Sequence, residues 1–130
     1  MLLGVKSFLA ICLGGAVGTG ARYLVVVGCA RWLGVAFPFG TLAVNVAGSF
    51  LLGLVAELAL RGAVSPELRS VLAMGVMGGF TTYSSFNQDL VAGFERGAWA
   101  WSLAYAVATL CGCLASGVAG TWLGRTWPGA

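Results

Sequence analysis

The chain has 130 residues, of which 59% are hydrophobic and only 8% are charged, and its formal net charge is +3. A soluble domain has about 25% charged residues, so this chain has too few charges to cover a surface that faces water. The composition excludes a soluble globular domain and indicates an integral membrane protein. The small, scattered positive charge does not favour nucleic-acid binding.

Hydrophobic segments predict an all-α, single-domain protein over residues 1–130. A helix needs about 20 apolar residues to cross the hydrocarbon core, so the chain is long enough for four spans. The predicted spans cover residues 7–29, 39–60, 67–94 and 98–123. The apolar run at the N-terminus is too long and too interrupted for a signal peptide, so we expect no cleavage there.

The first span contains Gly14-x-x-x-Gly18, a small-residue spacing that lets helices approach closely. A phosphate-binding loop fails because residues 21 and 22 are alanine and arginine, where lysine and serine or threonine would hold phosphate and magnesium. Arg22 lies about two-thirds along the span, where it either snorkels to the interface or faces a polar cavity. Arg31 and Trp32 are predicted to lie in the turn that follows.

The second and fourth spans each carry a polar track at helical spacing. Thr41, Asn45 and Ser49 lie at i, i+4 and i+8, as do Tyr105, Thr109 and Cys113. An amide in mid-span will find a partner, and an interhelical hydrogen bond is its simplest role. The four cysteines form no CxxC pair and the chain has no histidine, so we interpret them as small buried hydrophobes.

The third span contains a segment that makes a poor continuous helix. Residues 78–86 read Gly-Gly-Phe-Thr-Thr-Tyr-Ser-Ser-Phe, and these glycines, threonines and serines each weaken helical order. We therefore predict a break near Gly78 to Tyr83, whose freed backbone groups must bond to protein or line a watery path. Tyr83 and Phe86 share a face beyond the break, where packing is the simplest role for an aromatic pair.

The polar groups inside the spans favour one kind of chemistry. No central acid is present for proton-coupled transport, and no nucleotide motif for pumping. An amide, hydroxyls and aromatic ring edges offer partial positive charge to a small anion. A small multidrug-type transporter would need a glutamate in the first span, but none precedes Glu57. A third hypothesis is a membrane scaffold without transport activity, in which both polar tracks would serve only to pack the helices.

Three segments resemble the CrcB/Fluc family of fluoride channels, in order and at the expected spacing. They are residues 14–23, residues 40–50 (Gly-Thr-Leu-Ala-Val-Asn-Val-Ala-Gly-Ser-Phe) and residues 78–86. The resemblance implies a passive channel, not an enzyme, that exports fluoride across the cell inner membrane or plasma membrane. It also implies an antiparallel, dual-topology homodimer of four-helix subunits with the third helix broken mid-membrane, two pores and a central structural sodium ion. The weak charge bias between the two sides, four cations against two, agrees with dual topology.

The resemblance also assigns roles to individual residues. The backbone carbonyls of Gly78 and Thr81 would bind sodium, in agreement with the general behaviour of unwound backbone in broken helices. The residues implied for the fluoride path are Arg22, Thr41, Asn45, Tyr83, Phe86, Tyr105, Thr109 and Cys113. Two of them depart from the family pattern, because Tyr83 replaces the usual phenylalanine and Cys113 a more typical serine.

Overall fold

The computed structural model describes residues 4–128, and all regular structure in this range is helical. The elements are α1 (Val5–Leu33), α2 (Phe39–Leu60), α3 (Pro66–Ser70), a π-helix π1 (Val71–Met77), α4 (Gly78–Phe80), α5 (Tyr83–Glu95) and α6 (Trp99–Thr126). The prediction of an all-α protein is confirmed.

Three of these helices, α1, α2 and α6, are long and apolar enough to cross a membrane. Their length and composition confirm the prediction of an integral, multi-pass membrane protein. Residues 66–95, which follow α2 and precede α6 in the sequence, consist of shorter helices. The helix ends differ from the predicted span ends by up to four residues, as is usual for boundaries judged from hydrophobicity.

The assignment of Arg31 and Trp32 to a turn is wrong. Both residues lie in the last turn of α1, which ends at Leu33 and is followed by Gly34 at φ +81°. Arg31 is compatible with this position, because a cation in the last helical turn interacts favourably with the helix dipole. The glycine at position 34, which adopts the left-handed region without strain, supplies the stop.

Helix packing depends on glycines that bring backbones into contact. Along the α2–α6 pair, a Cβ at Gly120 would lie 2.0 Å from the Phe50 carbonyl oxygen. Along the contact of α1 with π1, a Cβ at Gly18 would lie 2.0 Å from the Val76 carbonyl oxygen. Distances below 3.0 Å to backbone leave no room for a side chain, so these glycines set the close approach.

The break in the third helical segment begins later than the sequence predicts. Gly78 and Gly79 are helical and form α4 with Phe80, whereas the extended residues are Thr81 (φ −83°, ψ 158°) and Thr82 (φ −151°, ψ 102°). The assignment of the glycine pair to the break is therefore wrong. A Cβ at Gly79 would meet the Gly15 carbonyl oxygen at 2.4 Å, so its packing against α1 holds this glycine in a helix despite its low propensity.

Candidate functional site

The backbone freed at the break is bonded by the side chain of Asn45, from the middle of α2. The Asn45 Nδ2 donates to the Thr82 carbonyl oxygen at 3.1 Å, and the Thr82 N–H donates to Asn45 Oδ1 at 2.7 Å. One buried amide thus satisfies both polar backbone groups of Thr82, as a neighbouring strand would. We call this pair of hydrogen bonds the Asn45 clamp.

Thr82 also starts the next helix. Its hydroxyl accepts a hydrogen bond from the Ser85 N–H at 3.2 Å and donates to the Ser85 Oγ at 2.9 Å, and it lies 3.3 Å from the Ser84 Oγ. Thr82 is therefore the N-cap of α5, a position that threonine stabilises by satisfying an unpaired helix N–H. The Thr82 hydroxyl, a group that weakens a continuous helix, therefore stabilises the start of α5.

The clamp and the Thr82 cap leave two carbonyl oxygens near the break without their usual helical donors. In a continuous helix the Thr82 N–H would donate to the Gly78 carbonyl, but here it donates to Asn45. The Thr81 carbonyl accepts a hydrogen bond from the Arg22 Nη1 at 3.3 Å. The Arg22 guanidinium therefore makes a polar contact inside the protein.

A cavity of about 430 Å³ opens beside the break, between α2 and α6. The predicted site residues that line it are Asn45, Gly78, Thr81, Tyr83, Phe86, Thr109 and Cys113. The structure therefore brings most of the predicted set to one surface. Arg22, Thr41 and Tyr105 are not part of the cavity lining.

The two aromatic residues after the break differ in burial. Phe86 is 5% exposed and packs edge to face on Tyr105, with ring centroids 5.1 Å apart. Tyr83 is 75% exposed, and its ring centroid lies 5.8 Å from that of Phe86. Phe86 thus belongs to the protein interior, whereas Tyr83 projects from the surface of the chain.

Tyr105 lies in an aromatic cluster at one end of the fourth-span polar track. Its ring is fully buried, with the rings of Phe37 and Trp101 at centroid distances of 5.2 and 5.6 Å. Its hydroxyl donates to Asp89 Oδ2 at 3.4 Å. The side chain is therefore held by packing and by a carboxylate at its polar tip.

Thr109 and Cys113 continue this track toward the other end of α6. Thr109 is 5% exposed, and its Oγ1 has no hydrogen-bond partner among the described residues. Cys113 lines the first cavity and also a second one of about 680 Å³, which extends along α2 and α6 to Trp122 and Arg125. Together the two cavities form a continuous groove, because Ser49, Leu52 and Cys113 line both.

Two residues of this region, Thr82 and Asp89, have no role in the sequence prediction. Residue type alone does not show whether the backbone of Thr81 or that of Thr82 is bonded by the clamp. That choice depends on the position of Asn45 on α2. For Asp89 a signal exists in the sequence. It lies three residues beyond Phe86 on α5, so helical spacing places it on the same face.

Comparison with known proteins identifies the family. Residues 9–121 match the model of the family described as CrcB-like protein, Camphor Resistance (CrcB). The chain belongs to the CrcB family. The resemblance of the three sequence segments to this family is thereby confirmed.

Relatives in the CrcB family share about half of their residues with this chain. A protein of Chelativorans sp. (strain BNC1) is 51% identical over 117 residues, which cover 89% of this chain and 94% of the relative. A protein of Anaeromyxobacter dehalogenans is 53% identical over 122 residues, covering 93% and 97%. A third, of Agrobacterium fabrum, is 51% identical over 116 residues, covering 88% and 93%. All three are named "Fluoride-specific ion channel FluC".

Proposed function

We propose that this protein is a passive, fluoride-specific ion channel that lets fluoride leave the cytoplasm. The observation that carries the proposal is the cavity beside the break, whose mainly apolar lining includes hydrogen-bond donors and two aromatic rings but, among the described residues, no formally charged side chain. The relatives at 51% and 53% identity, which are named fluoride-specific channels, support the choice of ion.

The donors in this cavity suit a small anion that must give up part of its water shell. Asn45 uses one Nδ2 hydrogen on the Thr82 carbonyl, and the amide has a second one to offer. The buried Thr109 hydroxyl has no hydrogen-bond partner among residues 4–128, and the edges of the aromatic rings carry partial positive charge. Such partial charges replace hydration without the strong binding to a full cation that would retain the ion.

Permeation through this cavity needs no energy source in the protein. Hydrogen fluoride, a weak acid, crosses lipid in its neutral form and dissociates inside the cell. The membrane potential, negative inside, then drives the anion outward along the polar groups of α2, α5 and α6. The channel thus selects and conducts, without catalysing a reaction.

We also propose the finer architecture, a four-span subunit whose third span, residues 66–95, breaks mid-membrane, assembled as an antiparallel dual-topology homodimer with two pores. Tyr83 supports the assembly, because it is 75% exposed although it adjoins the buried Phe86 and lines the cavity. A second subunit placed on this face would close the groove. The shallow charge bias, with Lys6, Arg61, Arg69 and Arg125 on one side and Arg31 and Arg96 on the other, supports insertion in both orientations.

Two backbone carbonyls at the break support the proposal of a structural sodium ion. The Asn45 clamp withdraws the helical donor from the Gly78 carbonyl, and both Gly78 and Thr81 line the cavity edge. We propose that the carbonyl oxygens of these two residues from each subunit bind sodium, as unwound carbonyls do in other broken helices. When bound, the ion would be held by the partial negative charge of these carbonyl oxygens. The Arg22 contact to the Thr81 carbonyl would hold that oxygen in place.

Fluoride efflux from proteoliposomes tests the proposed function. Vesicles that contain the purified protein and are loaded with potassium fluoride should release fluoride to an ion-selective electrode when a potassium ionophore balances the charge. Vesicles loaded with potassium chloride should retain chloride under the same conditions. Chloride release at a comparable rate would contradict the proposal, as would fluoride release no faster than from protein-free vesicles. A cell inner membrane or plasma membrane is the location that this function requires.

A sodium-free version of the same assay tests the structural ion. Efflux should decline when sodium is exchanged for a large organic cation during purification and should return when sodium is restored. Cross-linked dimer measured on the same samples gives a readout that does not depend on flux. Full efflux and assembly after thorough sodium removal would argue against the ion.

A further inference from the structure

The second cavity of the groove, of about 680 Å³, is lined mainly by apolar side chains, and Arg125 is the one charged residue among its described lining residues. Its apolar walls are formed by Leu52 and Ala56 of α2 and by Leu114 and Val118 of α6. These side chains offer no hydrogen-bond donor or acceptor, so a polar ligand finds few partners along them. Most of this cavity therefore suits an apolar chain.

The length of the second cavity matches one leaflet of a bilayer. Cys113 and Arg125, which both line it, are 12 residues apart on α6. At the rise of an α-helix this separation is about 18 Å, close to half of the roughly 30 Å hydrocarbon core. Arg125 lies in the last turn of α6, beside the exposed Trp122, a residue type that is enriched where hydrocarbon meets the headgroups. The cavity thus reaches from the middle of the span to headgroup level.

Arg125 presents an oriented guanidinium at the headgroup end. Its Nε donates to Glu57 Oε2 at 3.4 Å, and its side chain remains 66% exposed. Within residues 4–128 its two terminal nitrogens have no hydrogen-bond partner, so the Nη1–Nη2 edge is open to a ligand. A planar guanidinium edge of this kind binds two oxygens of one phosphate group.

A second arginine makes the charge at this end positive. Arg61, which directly follows α2, donates from Nη1 to the carbonyl oxygens of Gly124 and Arg125. It thereby covers two carbonyls at the end of α6 whose partial negative charge would oppose an anion. Two guanidinium groups stand against the single carboxylate of Glu57 here. Cations close to the membrane surface attract anionic lipids, so the charge of this end complements such a headgroup.

We propose that the second cavity binds an anionic phospholipid, with one acyl chain between α2 and α6 and the phosphate on Arg125. A lipid is favoured over a second copy of this chain because a protein partner would have to cover an exposed arginine and an exposed tryptophan at headgroup level. The second subunit proposed at Tyr83 covers the part of the groove beside the break. The lipid site does not rest on fluoride conduction.

Lipid retention by the full chain tests the headgroup contact. The protein is delipidated in a non-ionic detergent and mixed with phosphatidylglycerol or with phosphatidylcholine of the same acyl chains, and native mass spectrometry measures the lipid that stays bound. Phosphatidylglycerol should bind more tightly. Arg125→Gln should weaken its binding about fivefold, the effect of one cation near a membrane surface. Arg31→Gln, which removes a cation from the last turn of α1 and not from the cavity, should leave it unchanged.

Ala56→Phe tests the acyl-chain contact without a change of charge. The larger side chain would occupy the cavity, so both lipids should bind more weakly. A phosphatidylglycerol with a photoactivatable diazirine on its acyl chain locates the contact in the unmodified protein. Peptide mass spectrometry should find the cross-linked lipid on residues 49–56 or 113–125, the segments that line the cavity.

Equal binding of phosphatidylglycerol by Arg125→Gln and Arg31→Gln would overturn the headgroup contact, and cross-links confined to other segments would overturn the place of the acyl chain. A loss of cross-linked dimer in Ala56→Phe with lipid binding unchanged would show that a second subunit fills this cavity instead. Absence of fluoride efflux from a protein that binds the lipid as described would contradict only the proposed channel function.

Discussion

The two sides of the break at Thr81 and Thr82 are built in opposite ways. On the upstream side, residues 71–80 pack backbone to backbone against α1, where a Cβ at Gly75 would lie 2.7 Å from the Ile11 carbonyl oxygen. On the downstream side, α5 begins with the exposed Tyr83 and is capped by a side chain. It contacts α6 through a few larger groups, among them the ring of Phe86.

The half before the break therefore fixes the segment against α1, and the half after the break lines the groove. The upstream half has no freedom to shift, because glycine contacts to backbone cannot be relieved by a rotamer change. The downstream half contributes the rings of Tyr83 and Phe86 to the groove, and Tyr83 is also 75% exposed. Asn45 joins the halves, since its clamp on Thr82 fixes where one ends and the other begins.

A methyl group on the anchoring side should have the largest effect on stability. In Gly18→Ala the new Cβ would lie 2.0 Å from the Val76 carbonyl oxygen, so α1 and π1 must separate. We expect the free energy of unfolding to fall by about 3 kcal/mol, at the upper end of overpacking costs. Thermal unfolding in detergent measures the change.

Gly20→Ala is the control for this substitution. It lies on the same helix but has nothing within 4 Å of the added Cβ, so it should be neutral or slightly stabilising. Equal destabilisation by the two alanines would show that the close approach of α1 is not what anchors the upstream half.

The junction between the halves is tested by Asn45→Asp. A carboxylate can accept from the Thr82 N–H but cannot donate to the Thr82 carbonyl, and it places a charge at mid-span. We expect a destabilisation of about 2–3 kcal/mol and a fluoride efflux no faster than that of protein-free vesicles. Ser49→Ala, which removes only a hydroxyl bond to the Asn45 carbonyl one turn along α2, is the control and should cost about 1 kcal/mol. Full efflux from the aspartate variant would exclude Asn45 as an essential donor.

The cap of the downstream half is tested by Thr82→Ala against Thr82→Ser. Alanine removes the hydroxyl that accepts from the Ser85 N–H, whereas serine retains it. We expect alanine to lower the free energy of unfolding by about 1 kcal/mol, the usual value for an N-cap, and serine to lower it by much less. The Asn45 clamp uses only the backbone of Thr82, so efflux should persist in both variants. A serine variant as unstable as the alanine variant would point to lost methyl packing instead of a lost cap.

The sequence predicts the features of this protein that depend on residues close together in the chain better than those that depend on contacts between distant residues. Composition and hydrophobic runs identify the membrane class, because each helix must match the thickness of the bilayer. Helical spacing places Asn45 on one face of α2 with Thr41 and Ser49, and Thr109 and Cys113 on one face of α6 with Tyr105. These features are local, and residue type and spacing are enough to identify them.

The position of the break and the contacts of Arg22 are not local. Glycine at positions 78 and 79 suggests a break by propensity, but packing against α1 overrides propensity. The clamp joins residues that are 37 positions apart, and the Arg22 contact spans 59 positions. Nor does the short-range pattern predict π1, the stretch of Val71–Met77 that precedes the break. Such pairings depend on how the helices assemble, which no single segment specifies.

Tyr83→Phe should have the smallest effect, and it shows what the exposed aromatic residue contributes to the downstream half. The substitution removes one hydroxyl from a side chain that is 75% exposed, so we expect the free energy of unfolding to change by less than about 0.5 kcal/mol. Efflux should also persist, because in the proposed channel the ring edge, and not the hydroxyl, would supply the partial positive charge to the ion. Phe86→Ile, three residues further along α5, removes an aromatic ring instead of a hydroxyl. This variant should lose fluoride efflux, whereas assembly of the proposed dimer, measured by cross-linking, should remain. Loss of efflux in Tyr83→Phe would show instead that the extra hydroxyl is a donor on which this chain depends, so that the departure from phenylalanine at this position has changed how the downstream half holds the ion.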